Sequence, residues 1–138
     1  MKKPTYKYSL FLVVLMMVSA CPSDDTTASD LAFENLSGNW TLGTTGSIEQ
    51  DGEDVSLNFP GFTLSFADGT YATTSGGNLF RASGTWEWAN EDGTTIILDT
   101  NEEVTILELT ASLLRFSFFH AGNSRAGIQG SYVVEVSK

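Results

Sequence analysis

The chain has little of the chemistry that most catalytic and metal sites require. It contains one cysteine, Cys21, and one histidine, His120, among 138 residues. A single cysteine excludes a disulfide within the chain, and zinc sites need three or four His or Cys ligands. The sequence also lacks a Gly-x-Ser-x-Gly motif and a Gly-rich phosphate loop. We therefore predict a protein that is not an enzyme and that uses no metal or cofactor.

Basic residues are also scarce. The chain has 7 Lys and Arg against 17 Asp and Glu. Three of the lysines, Lys2, Lys3 and Lys7, lie in the first twenty residues, so the remainder keeps four basic residues against seventeen acidic ones, a net charge of −13. Nucleic-acid binding depends on basic residues that release counterions. Adsorption to anionic lipid also depends on basic residues. This charge predicts that nucleic acid is not a partner.

One uninterrupted hydrophobic run is present, at residues 10–18, and it reads LFLVVLMMV. It is too short for a membrane-spanning helix, which needs roughly 20 residues. A basic start, a short apolar run and the small residues Ser19 and Ala20 are typical of a secretory signal peptide. Residues 1–20 are therefore predicted to be a signal peptide.

The end of this segment, Val18-Ser19-Ala20-Cys21, resembles the bacterial lipobox. The resemblance implies acyl chains, such as palmitate, on Cys21, cleavage before it, and a membrane partner bound through the lipid. The other interpretation is an ordinary secreted protein with a cysteine beside the cleavage site. Two or more acyl chains hold a protein stably on a membrane, because each buried CH₂ contributes about 0.8 kcal/mol.

Residues 21–35 are small, polar and acidic at their start, and we expect a flexible tether there. Ser23, Asp24 and Asp25 resemble the signal that exports some lipoproteins to the cell surface. We thus expect a cell-envelope location, at the outer membrane, with surface exposure as a further hypothesis. Ordinary linker composition would also explain these residues.

Residues 36–138 have the pattern of an all-β domain. Short alternating runs, rich in β-branched and aromatic residues, are separated by turns that contain Gly. We predict an antiparallel up-and-down β-barrel of about eight strands and no amphipathic helix. The expected strands lie at residues 40–48, 62–66, 71–74, 84–88, 96–100, 104–109, 113–120 and 132–136.

The order of motifs resembles small lipocalin-like domains of bacterial lipoproteins. Gly38-x-Trp40 comes first, then residues 62–71, FTLSFADGTY, then residues 83–88, SGTWEW. The resemblance implies that Gly38 and Trp40 close one end of the barrel. It also implies a cation stacked on Trp40, for which Arg115 and Arg125 are the candidates because residues 132–136 contain no Arg.

The family resemblance implies a small hydrophobic ligand. Candidate barrel-lining residues are the inward aromatics Phe62, Phe66, Trp86, Trp88, Phe116 and Phe118. The alternative is that these rings fill a solid core, in which case the domain would be a structural lipoprotein or one that interacts with another envelope protein. We expect His120 to be a surface or turn residue. We expect Glu108 to be solvated because Thr105, Leu107 and Leu109 would form the buried face of their strand.

Overall fold

The computed structural model describes residues 25–122 and 128–138. Within these residues the chain forms an α-helix, α1 (Ala28–Leu36), a short 3-10 helix at Ser56–Asn58, and ten β-strands. The strands are β1 (Gly38–Thr41), β2 (Ser47–Gln50), β3 (Glu53–Asp54), β4 (Thr63–Ala67), β5 (Thr70–Thr74), β6 (Ser83–Trp88), β7 (Thr95–Leu98), β8 (Glu103–Leu109), β9 (Leu113–His120) and β10 (Gly130–Ser137).

Eight of these strands form a closed antiparallel barrel, in the order β1-β4-β5-β6-β7-β8-β9-β10. Thr41 pairs with Ser137 and closes the ring between β1 and β10. The middle of β10, residues 132–135, pairs with β2. β1 and β2 therefore divide the first predicted strand into two segments, separated at residues 42–46. The predicted all-β barrel of eight strands is confirmed.

Alternation along the strands decides which side chains point into the barrel. On β9, Leu114, Phe116 and Phe118 are buried and His120 is the next inward position. Eighteen apolar residues form one buried cluster in the described part of the chain, and full burial of a large apolar side chain contributes roughly 1.5–3 kcal/mol. The inward row of β9 therefore ends in a polar group, His120.

An irregularity in β8 changes the face to which its residues belong. The pairing of β8 with β9 shifts between Ile106 and Glu108. Val104 is buried before the shift, whereas Leu107 and Glu108 are both exposed after it. The expectation that Thr105, Leu107 and Leu109 form the buried face is therefore wrong for Thr105 and Leu107, although Glu108 is exposed as expected. A β-bulge inserts one residue and so reverses the alternation.

One end of the barrel, which we call the closed end, is covered by α1. The Trp40 side chain is completely buried there, and its Nε1 donates a hydrogen bond to the carbonyl oxygen of Leu36, 2.8 Å away. The Nζ of Lys138 lies 4.3 Å from the centre of the Trp40 ring and donates to the carbonyls of Asn35 and Ser37. The indole therefore joins the helix, β1 and the end of β10.

Lys138 thus occupies the position for which Arg115 and Arg125 were the expected candidates. The Nε of Arg115 lies 3.8 Å from a carboxylate oxygen of Glu135, on the outside of the barrel. Arg125 lies outside the described residues. The cation over the indole comes from the residue that follows β10, because that residue reaches the closed end.

The prediction of a tether at residues 21–35 is wrong for the part that forms α1. Thr27 caps the helix: its hydroxyl accepts from the backbone N–H of Asp30, and the Asp30 carboxylate accepts from the backbone N–H of Thr27. Such a capping box satisfies two donors that a helix start leaves free. Leu36 is buried, so the nine residues of α1 are stabilised by packing on the barrel as well as by the cap.

Gly93, in the β6–β7 connection, allows α1 to approach the barrel. A Cβ added there would lie 2.6 Å from the Cβ of Ala32 and 3.0 Å from the Cα of Ser29. Gly69 has nearly the same backbone, with φ +65° against +66°, but nothing lies within 4 Å of its added Cβ. The two glycines differ mainly in the presence of the helix.

We expect Gly93→Ala to loosen α1 from the barrel. Gly69→Ala is the matched control, since both variants place a Cβ on a left-handed backbone, at a cost of about 1–2 kcal/mol. The free energy of unfolding, measured in urea, should fall by at least about 1 kcal/mol more in Gly93→Ala than in Gly69→Ala protein. In Gly93→Ala protein the amides of α1 should also exchange hydrogen faster than those of β9. Equal losses in the two variants would show that α1 does not depend on this close approach.

Candidate functional site

The six aromatic residues predicted to line the barrel belong to its packed core, and each contacts at least one other aromatic ring. Five of them are buried and Trp88 is half-buried. Ring centres lie 5.7 Å apart for Phe66 and Trp86, and 5.1 Å apart for Trp86 and Trp88. Phe116 and Phe118 stack with their ring centres 6.1 Å apart. None of the six lines the cleft at the end of the barrel opposite α1.

Phe80, which the sequence analysis did not single out, packs among these rings. It lies in the β5–β6 loop, at residues 75–82, and its ring centre is 5.1 Å from that of Phe62 and 5.3 Å from that of Phe118. Its neighbour Leu79 is buried as well. The loop therefore folds inward and places aromatic and aliphatic side chains on top of the barrel interior.

A cleft of about 830 Å³ opens above Phe80, at the end of the barrel opposite α1. We call it the mouth cleft. It lies between the β5–β6 loop, the β7–β8 turn at residues 99–102, the end of β9 with the two residues that follow it, and Ile128 before β10. Its lining residues are Tyr71, Gly77, Asn78, Leu79, Phe80, Arg81, Ala82, Leu98, Thr100, Glu102, His120, Ala121, Gly122 and Ile128.

Glu102 and His120 form a hydrogen-bonded pair on the inner rim of this cleft. The Nδ1 of His120 is 2.7 Å from Oε1 of Glu102, and the two side chains are 18% and 20% exposed. The hydroxyl of Thr100 donates to the other carboxylate oxygen, at 3.2 Å. His120 is therefore not the surface or turn residue that we expected but the half-buried last residue of β9, with its own carboxylate partner.

A second polar group faces the same cleft. The hydroxyl of Tyr71 donates to Oδ1 of Asp99 at 3.3 Å, and Arg81 donates to Oδ2 of Asp99 at 3.3 Å. Gly84 lies on β6 opposite Tyr71, and a Cβ there would come within 2.6 Å of both the Tyr71 ring and Asp99. The missing side chain at Gly84 thus leaves room for this Tyr71–Asp99 contact.

Burial and two nearby carboxylates act on the Tyr71 hydroxyl. Burial, followed by the negative charge of Asp99 and the hydrogen bond to it, raises the pKa of Tyr71 to about 12; Glu102 contributes in the same direction. The guanidinium of Arg81 opposes this effect, but its side chain is 63% exposed. The Tyr71 hydroxyl therefore lies in a region of negative potential, where a further anion is disfavoured.

The mouth cleft can recognise a small molecule by shape, apolar contact and hydrogen bonding. Leu79, Phe80, Leu98 and Ile128 supply the apolar surface, and the polar groups converge from two strands and a turn. Alternation alone could have placed His120 here, because it follows Phe116 and Phe118 on one face of β9. The contribution of the β5–β6 loop has no such signal in the sequence.

Two other findings concern the described residues. Between 25 and 122 and between 128 and 138, no three His, Cys, Asp or Glu side chains come together as ligands for a metal ion. No helix in these segments is both long and apolar enough to span a bilayer. Cys21, the predicted lipidation site, lies outside the described residues.

Comparison with known proteins adds no family assignment. Neither a scan against protein-family models nor a search of curated proteins finds a significant match to the chain.

The raised pKa of Tyr71 gives a measurable titration. A folded-state pKa of about 12, above the ordinary 10.0, means that folding favours the protonated phenol. Its stabilising contribution is complete below pH 10 and is lost as pH rises toward 12. The phenolate absorbance of Tyr71, isolated by subtracting the curve of Tyr71→Phe protein, should therefore appear well above pH 10.

Asp99→Asn should lower this midpoint, because it removes both the charge and the carboxylate that accepts the hydrogen bond. Glu87→Gln removes an exposed carboxylate on the outer face of β6 and should leave the midpoint unchanged. An unchanged midpoint in Asp99→Asn protein would contradict the assigned Tyr71–Asp99 interaction.

Proposed function

We propose that this protein is a lipid-anchored lipoprotein of the bacterial cell envelope whose lipocalin-like barrel binds a small, largely apolar molecule in the mouth cleft. The observation that carries the proposal is the cleft itself. Its volume of about 830 Å³ falls within the usual size of small-molecule sites. It combines apolar walls with a few convergent polar groups, as such sites do.

The anchor part of the proposal is supported by the sequence. The basic start, the run at residues 10–18 and the lipobox-like Val18-Ser19-Ala20-Cys21 follow one another in the order that a lipoprotein signal requires. The acidic remainder makes attraction of the protein to anionic lipid unfavourable, so acyl chains on Cys21 would supply the membrane attachment. Ser23, Asp24 and Asp25 favour export to the outer surface.

The position of α1 adds an orientation to this proposal. Ala28 is seven residues after Cys21, and an extended chain of that length spans at most about 25 Å. α1 packs on the closed end of the barrel, where Ser29 donates to the carbonyl of Glu91. A lipid on Cys21 would therefore keep the closed end near the bilayer and leave the mouth cleft facing away from it.

A second candidate function rests on the packed interior. Phe80 and the six predicted lining residues occupy the barrel below the mouth, which suits a structural or protein-interaction lipoprotein that holds no ligand. The two candidates differ in a measurable way, because only the first requires the mouth cleft to be accessible to a small molecule.

Cys21→Ala tests the anchor. We expect the variant to accumulate uncleaved or to be released, whereas the parent protein partitions with the membrane and incorporates labelled palmitate. Ser23→Ala is a control that changes a neighbouring residue without removing the thiol. Normal membrane retention and acylation of the Cys21→Ala variant would refute lipidation.

Ala82→Trp tests the cleft. Ala82 is exposed and lines the cleft, so a large side chain there should occupy the space. Native mass spectrometry of protein released from its anchor should show a co-purified small molecule in the parent, and this mass should be lost in Ala82→Trp protein. Ala89→Trp, an exposed substitution next to the β6–β7 connection, should keep it. A parent protein without any bound mass would favour the structural candidate.

A further inference from the structure

The polar groups of the mouth cleft differ in their exposure to solvent. The less exposed pair interacts more strongly with the head group of a ligand. Glu102 and His120 have side chains no more than 20% exposed, whereas the Arg81 side chain is 63% exposed. An exposed ion pair such as Arg81–Asp99 contributes little, about 0–1 kcal/mol. Hydrogen bonds in the less exposed part of the cleft are less weakened by water. The head group of a ligand would therefore be selected chiefly by Glu102 and His120.

The contact between these two residues fixes the tautomer of the imidazole. An ionised carboxylate has no hydrogen to donate, so Nδ1 of His120 must be the donor in the 2.7 Å contact with Glu102. In a neutral imidazole the other nitrogen, Nε2, then carries a lone pair and accepts a hydrogen bond. The Glu102 carboxylate accepts hydrogen bonds in either protonation state of His120, and Nε2 is a second acceptor when the imidazole is neutral. The matching ligand group is a donor.

Charge at the cleft favours a cationic donor over an anionic head group. Among the described residues, Glu102 lines the cleft and Asp99 contacts the lining residues Tyr71 and Arg81, so that two carboxylates and one guanidinium lie at this end of the barrel. The same two carboxylates disfavour the phenolate of Tyr71, and a carboxylate on a ligand would experience the same repulsion. An ammonium group is attracted by this field and has hydrogens for both acceptors.

We infer that the mouth cleft, as the ligand site of the proposed function, takes an amphiphile with an ammonium head group. The apolar part contacts Leu79, Leu98 and Ile128, and the head group is directed toward the carboxylate of Glu102 and the imidazole of His120. This assignment rests on the proposed function, and it adds the chemical class of the ligand to it.

The test compares three soluble probes that share one apolar group. They are 2-(1-naphthyl)ethylammonium, 2-(1-naphthyl)ethanol and 1-naphthylacetate, and binding is measured by equilibrium dialysis. The full chain, as processed by the cell, is held in nanodiscs of zwitterionic lipid, and empty nanodiscs are measured in parallel. We expect the ammonium probe to bind at least about tenfold more tightly than the carboxylate, a difference of about 1.4 kcal/mol, with the alcohol between them.

Glu102→Gln assigns the preference to a residue. The amide oxygen of Gln can still accept from Nδ1 of His120, so the geometry is retained while the charge is lost. This variant should bind the ammonium probe about three- to tenfold more weakly and the carboxylate no more weakly than the parent. Glu108→Gln removes the same charge from an exposed position next to the closed end and should change neither value. Asp99→Asn provides a second test at the mouth if Glu102→Gln protein does not fold.

The outcomes separate the two proposals. If no probe binds beyond the empty nanodiscs, both the ligand class and the binding function are refuted. If the carboxylate or the alcohol binds as tightly as the ammonium probe, the ligand class is wrong while the cleft remains the binding site. A preference for ammonium that survives in both Glu102→Gln and Asp99→Asn protein would also refute the assignment to these carboxylates.

Discussion

The arrangement of the barrel depends most on the contacts of Trp40, whose indole is completely buried. Its ring is covered by the Lys138 ammonium, its Nε1 is bonded to the last residue of α1, and its backbone pairs with Leu64 on β4. Three separate parts of the chain therefore meet at this one residue. Because this end is sealed, the opposite end is the place where the interior can be reached from solvent.

Strand alternation explains why the barrel could be predicted from the sequence. Runs such as Phe62, Leu64 and Phe66 alternate with polar residues, and each run became a strand with one buried face. α1 was missed because residues 22–30 are mostly polar and small. Thr27 and Asp30 nevertheless have the spacing of a capping box, a local signal that precedes the apolar residues of the helix.

The candidate site was harder to predict because its parts are brought together by tertiary structure. His120 and Glu102 each continue an alternating inward row, so their direction follows from β9 and β8. Their contact depends on the pairing of those strands and on the conformation of the turn before β8. Phe80 lies in a loop without alternation, and nothing in its neighbourhood in the sequence places it over Phe62 and Phe118.

Filling the interior has a consequence for specificity. If the aromatic rings lined an empty barrel, a ligand would meet apolar surface on all sides, and discrimination would depend on size, which separates close analogues weakly. Because Phe80 and its neighbours fill that space, the accessible volume is moved to the rim. There the inward rows of β8 and β9 end in Glu102 and His120, and Tyr71 also lines the cleft. At the rim a ligand contacts charge and hydrogen-bonding groups together with apolar surface, and buried polar groups reject a ligand that leaves them unpaired. The packing of the core and the polarity of the site are thus two results of one inward-folded loop.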